Sequence, residues 1–139
     1  MRATLEQVFK EGIYSVAFGD VFLEDLRKYR EGNLALVGMT GIFPLWKRDS
    51  AELARTFGEL GFKAVVVSVD SKALDAAFAG RVIDQELLTQ LPPSVDPCGE
   101  NGEFHSFVYD GPLFTRPVSC RIGEVVARDA FHFCDLTPA

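Results

Sequence analysis

Residues 96–114 read Asp-Pro-Cys-Gly-Glu-Asn-Gly-Glu-Phe-His-Ser-Phe-Val-Tyr-Asp-Gly-Pro-Leu-Phe. The first half is turn chemistry: Pro97, Gly99, Asn101 and Gly102 favour tight turns or positive φ. The second half alternates. Phe104, Ser106 and Val108 fall on one face of a strand; Glu103, His105, Phe107 and Tyr109 fall on the other. Asp110-Gly111-Pro112 then stops the strand. A glycine-bearing loop therefore delivers Glu100, Glu103 and His105 to the mouth of a strand, a common way to mount charged groups on a rigid frame.

Upstream of the loop, residues 62–69 form the clearest strand. Ala64-Val65-Val66-Val67 is continuously apolar, as expected of a parallel strand buried on both faces. A helix precedes it, capped by Asp49 or Ser50, with Leu53, Ala54, Phe57 and Leu60 on its apolar face and Gly61 at its end. A helix over 72–79 follows, ended by Gly80. Asp84 caps another through Leu87, Leu88 and Leu91, stopped by Pro92-Pro93. Downstream, 118–126 and 130–133 alternate, with Gly123-Glu124 as a bulge or turn and His132 as a surface strand residue.

Towards the N-terminus, Thr4 and Gln7 fit a capping box for a helix closed by Gly12. Residues 13–18 read as a buried strand. Asp20 then either caps a helix over 21–30 or contacts a ligand at the strand's C-terminal end. Residues 27–30, Arg-Lys-Tyr-Arg, read as a solvated helix end, 34–37 as a second strand, and 38–41 as a flexible run. Trp46, the single tryptophan, reads as a core or hinge anchor. The class is α/β: a mainly parallel sheet holding 13–18, 34–37 and 62–69, then a β-rich C-terminal part.

At 139 residues the chain is one domain or pieces of two, and 47% hydrophobic content with 12 Phe can build a core. The net charge of −6 disfavours nucleic acid and anionic membranes as partners. Three cysteines without a Cys-x-x-Cys argue against a disulfide framework or a zinc ribbon. Without a signal peptide or a long apolar span, the cytoplasm is the expected location. Cys98 reads either as a nucleophile or as a small residue in a tight turn.

Gly-Glu-Asn-Gly-Glu-Phe-His-Ser-Phe-Val-Tyr-Asp-Gly-Pro, residues 99–112, resembles the second signature of the N-type ATP pyrophosphatases, the family of diphthine–ammonia ligase. Gly19-Asp20, Pro44-Leu45-Trp46 and Gly80-Arg81-x-x-Asp84 match further pieces in the family's order. The family's Ser-Gly-Gly-Lys-Asp-Ser loop, which holds the ATP phosphates, has no counterpart in these 139 residues. The resemblance implies an adenine nucleotide alpha hydrolase-like (HUP-like) architecture. Residues 1–45 would be the C-terminal remnant of the nucleotide-binding domain, with its mainly parallel sheet. Residues 46–139 would be a smaller α/β substrate-binding domain with a β-rich end.

The resemblance also implies a chemistry: ATP adenylates a carboxylate, ammonia attacks, and AMP and pyrophosphate leave. On that basis Glu100, Glu103 and His105 are the candidate catalytic group. Asp20, Trp46, Arg81, Gly99, Asn101, Gly102 and Ser106 are candidate substrate contacts. ATP or AMP with Mg²⁺ is the implied cofactor, and the acceptor is a small molecule or a modified residue. The implied assembly is a homo-oligomer or a complex with a separate PP-loop chain. From residue types alone two readings stay open. The carboxylates and imidazole can orient or deprotonate an amine or hold a metal, or the carboxylates can accept backbone N–H bonds and hold the loop's shape. Arg81 suits an anionic ligand or a loop carboxylate equally. An ATP-dependent ligase completed by a PP-loop half therefore stands beside a non-catalytic binding or structural module.

Overall fold

The structure is a computed structural model and describes residues 2–139. Contacts divide the chain into two compact units, Met1–Arg48 and Asp49–Ala139.

In the first unit, helix α1 spans Arg2–Lys10 and ends before Gly12, whose φ is +87°. Thr4 lies inside α1, not at its cap: Arg2 and Ala3 are good helix formers and carry the helix further upstream. Only Ser15–Ala17 of the expected strand pairs, as β1, in parallel with β2, Thr40–Ile42. With a single partner strand, β1 is not buried; Ile13 and Tyr14 beside it are 48% and 58% exposed. Helix α2 spans Glu24–Ala35 and absorbs half of the strand expected at 34–37. Leu34 continues the helical spacing from Arg30, and nothing breaks the helix before Gly38 at φ +74°. The second strand consequently forms beyond that glycine, in the run expected to be flexible.

Asp20 does not cap α2, whose N-cap is Leu23 without a side-chain bond. Its carboxylate is buried and instead accepts from Arg30 Nε at 2.7 Å and Nη2 at 3.2 Å. Nor are residues 27–30 a solvated helix end. They lie inside α2, with Arg30 over the Phe18 ring at 4.5 Å and Arg27 over Phe43 and Trp46 at 4.5 and 4.7 Å. Trp46 is half-buried, edge-on to Phe43.

In the second unit, Asp49 caps helix α3, Ser50–Glu59, accepting from the Glu52 N–H at 2.7 Å, and Gly61 follows with φ +87°. Strand β3, Lys63–Asp70, is buried along its middle as its apolar run requires. It lies in a four-stranded sheet ordered β4-β3-β6-β5, with β4 at Phe104–Asp110, β5 at Cys120–Arg128 and β6 at Phe131–Pro138. Both its neighbours are antiparallel, so 62–69 does not belong to the parallel sheet. A continuous apolar run reports that both faces are covered, not the direction of the neighbours. The α/β class holds, and the N-terminal sheet is parallel, with its second strand at Thr40–Ile42 in place of 34–37.

The expected helix over 72–79 is a set of turns with a short 3₁₀ segment, Ala76–Phe78. Asp70 and Asp75 divert the local backbone, accepting from the Lys72 and Ala77 N–H groups. Residues 80–83 then lie along β3: the Gly80 N–H donates to Val66 O, the Val66 N–H to Arg81 O and the Ile83 N–H to Ala64 O. Asp84 caps helix α4, Gln85–Gln90, as expected. Val66, Val69, Leu74, Leu87, Val95, Phe104 and Cys134 form the core on one face of the sheet.

β5 lies two residues downstream of the expected 118–126 and β6 runs well past the expected 130–133; the two turn at Asp129-Ala130, where Asp129 has φ 55°. The register slips between Ile122 and Val125, which makes Gly123-Glu124 a bulge. His132 is not a surface residue. It is half-buried opposite Val69, on the Cys134 side of β6, and its Nδ1 is buried without a hydrogen-bond partner among the described residues.

Candidate functional site

The loop between α4 and β4 is built around two carboxylates. Asp96 Oδ2 accepts from the Cys98 N–H at 3.1 Å and the Glu100 N–H at 3.0 Å. Glu103, 5% exposed, accepts at Oε1 from the Asp96 N–H and from Asn101 Nδ2, both at 2.9 Å, and at Oε2 from the Asn101 N–H at 3.0 Å. Burial pushes the Glu103 carboxyl up. The bonds from the Asn101 side chain and from the N–H groups of Asp96, Glu103 and Asn101 outweigh it and hold the carboxyl below the usual carboxylate range. The Glu103 carbonyl accepts from the Asp70 N–H at 2.9 Å, which ties the loop to β3. Gly99 is required at its position: its φ is +67°, and a Cβ there would lie 2.7 Å from the Phe104 carbonyl oxygen.

This geometry does not fit a phosphate cradle. Such a cradle needs outward N–H groups and positive charge. Here the N–H groups of Asp96, Cys98, Glu100 and Asn101 are engaged by the loop's own carboxylates. Nor do the described residues include a group of three or more His, Cys, Asp or Glu arranged to hold a metal ion. Cys98 donates to the Ser50 carbonyl at 3.3 Å. Desolvation of its sulfur, with the charges of Asp96 and Glu100, pushes the thiol up to about 11. At neutral pH it is an unreactive thiol, in keeping with its reading as a turn residue.

Past the loop, β4 carries His105, Ser106 and Phe107 on exposed positions. His105 and Phe133 both pair with Ser68, so the three side chains form a row on the sheet face opposite the core. β6 pairs with β3 only at residues 131–133; beyond Phe133 it pairs with β5 alone. Where the strands part, a cleft of about 510 Å³ opens over Val67 and Ser68, walled by His105, Ser106 and Phe107 on one side and Arg128, Phe133 and Asp135 on the other.

The structure thus gathers Glu100, Glu103, Gly99, Asn101 and Gly102 in one loop and sets His105 and Ser106 in the adjoining cleft. Arg81 binds Gln90 Oε1 at 2.6 Å and lies 5.1 Å from the Phe78 ring; it is not bonded to a loop carboxylate. Asp20 and Trp46 belong to the other unit. Sequence reasoning missed Arg128, Phe133 and Asp135. Extending the alternation of 131–133 by two residues would have put Phe133 and Asp135 on one face.

Residues 49–136 match the family model described as the diphthamide synthase C-terminal domain. The chain is 28% identical over 130 residues to diphthine–ammonia ligase of Homo sapiens, covering 89% of this chain and 48% of that protein. It is 31% identical over 117 residues to diphthine–ammonia ligase of Danio rerio, covering 78% and 46%. With diphthine–ammonia ligase of Schizosaccharomyces pombe it shares 27% over 104 residues, covering 72% and 17%. The chain spans about half the length of the first two.

Proposed function

The chain belongs to the diphthamide synthase C-terminal domain family, and from that premise we propose that it is the acceptor-binding portion of an ATP-dependent amide ligase. The nucleotide phosphates are held by a PP-loop half outside these residues. One observation carries the reading: the loop's N–H donors are turned inward onto Asp96 and Glu103, while His105 and Ser106 just beyond line an open cleft, with His105 on the sheet face opposite the core. A site built this way presents side chains to an acceptor, not backbone to a phosphate.

In this reading Glu100 and His105 orient the incoming amine and take up its proton. Glu103 fixes the loop that carries Glu100. Gly99, Asn101 and Gly102 set that loop's path, and Ser106 contacts the acceptor. Arg81 acts through the 80–83 segment it anchors. Asp20 and Trp46 support the nucleotide side, and residues 1–45 are the remnant of that domain. ATP with Mg²⁺, when held by the partner half, supplies carboxylate activation. The relatives' names make diphthine the first acceptor to test. The assembly is a homo-oligomer or a complex with a separate PP-loop chain, and the two-stranded β1-β2 sheet with exposed Ile13 and Tyr14 is the surface that fits the partner. The cytoplasm is the proposed location. Among the described residues no helix is long and apolar enough to cross a membrane. The alternative, a binding module without ATP chemistry, is favoured by the structural engagement of Glu103.

Amide formation after adding a PP-loop half separates the two. Glu100→Gln and His105→Ala should each lower kcat/KM by about a hundredfold while circular dichroism stays unchanged. Full turnover in both variants would leave only the binding module.

A further inference from the structure

Strand β5 ends the four-stranded sheet, with β6 as its one partner strand. Among the described residues, no backbone hydrogen bond reaches 121–128 from outside the β5-β6 hairpin. Every residue from Arg121 to Arg128 is exposed. The exposure includes apolar side chains on both faces. Val125 stands opposite Cys134 on the core side and Val126 opposite Phe133 on the other, and Ile122, Val125 and Val126 are 52%, 46% and 37% exposed. The other end strand, β4, is partly closed by its own chain, since the Val118 N–H donates to Tyr109 O at 2.7 Å. A bare apolar edge is a template for another strand.

The charges along β5 select which strand. The bulge at Gly123-Glu124 and the turn at Asp129-Ala130 leave 124–128 as the regular stretch, with Val126 at its middle. Glu124 and Arg128 stand two residues either side of Val126, and neither makes an ion pair or a side-chain hydrogen bond among the described residues. When a strand pairs antiparallel with its own copy about a twofold axis, one residue must face itself. With Val126 in that place, Glu124 faces Arg128 of the second copy, and the pair occurs twice. Centring on Glu124 or Arg128 sets like charges together. Centring on Val125 or Ala127 sets both charges against apolar residues. Charges on an edge strand ordinarily keep copies apart; in this order they attract.

We propose that β5 pairs antiparallel with β5 of a second copy about a twofold axis at Val126, joining the two sheets into one. The contact buries Val125 and Val126 against the same strand of the copy and closes two Glu124–Arg128 pairs. The joined stretch is short, so the dimer is a weak one, with a dissociation constant of about 100 µM. The proposal goes beyond the acceptor reading and does not rest on it.

Sedimentation equilibrium of the full chain tests it. Glu124→Arg and Arg128→Glu should each raise the dissociation constant about tenfold, with unchanged circular dichroism. The double variant should return to within about twofold of wild type. An equal mixture of the two single variants should dimerise as well as wild type, because each then supplies the charge the other lacks. Arg121→Glu, outside the joined stretch, should change nothing. Facing residues hold their Cα atoms about 4.5–5.5 Å apart, within disulfide reach. Val126→Cys should therefore give an oxidised dimer above the wild-type background, and Ile122→Cys should not. A chain that stays monomeric at about 0.5 mM would overturn the proposal and leave the edge to a strand of another protein or to solvent. A dimer unchanged by both single variants would place the contact on another surface. Weakening in the single variants without recovery in the double variant and the mixture, or no cross-link through Val126→Cys, would exclude this register.

Discussion

Glu103 and Asp96 form a reciprocal clamp: the Asp96 N–H donates to Glu103, while Asp96 holds the N–H groups between them. Glutamine in place of Glu103 would turn an NH₂ towards donors and lose the charge that strengthens three bonds. Glu103→Gln should therefore cost about 2 kcal/mol, read by denaturant unfolding at pH 7. The pH dependence has a definite sign. The folded pKa lies below the ordinary value, so the stabilisation is complete above the unfolded pKa and is lost as pH falls through the folded one. Wild type should exceed the variant above about pH 5 and converge on it in more acidic solution. Equal stabilities at pH 7 would show that the clamp contributes nothing. The residue scale was where the sequence read best. The turn residues of the loop, the caps at Asp49 and Asp84, and the alternative that loop carboxylates accept backbone N–H bonds were all visible as local chemistry.

At the scale of elements, the loop and β4 are one device, because the close approach of Gly99 to the Phe104 carbonyl brings the loop down on the strand's first residue. Gly99→Ala meets both a positive φ and that oxygen, so it should cost roughly 2 kcal/mol or more. Hydrogen exchange should report it as faster exchange at 98–103 with β3 still protected; uniform protection would contradict the close approach. Elements whose signals are non-local were misread. The apolar run in β3 was legible as a buried strand, but its direction depends on β4 and β6, far along the chain. Residues 34–37 look like a strand until α2 is known to run to Gly38. The cleft was illegible for the same reason, since it exists only because β6 leaves β3 after Phe133.

The whole molecule comprises two compact units. The family match lies in the second, and the similarity to the full-length ligases extends over 89% of the chain. Ligases of this chemistry need a phosphate cradle and an acceptor pocket. These residues offer a cleft with uncommitted side chains and a loop whose backbone donors face inward. The central claim is that the acceptor side is here and the phosphate side is not. Calorimetric titration of the isolated chain tests it in two arms, one with ATP and Mg²⁺ and one with a protein bearing the diphthine residue. Saturable heat with the acceptor, and none with ATP until a PP-loop half is added, is the predicted result. Tight ATP binding with release of AMP and pyrophosphate by the chain alone, and no heat with the acceptor, would contradict it.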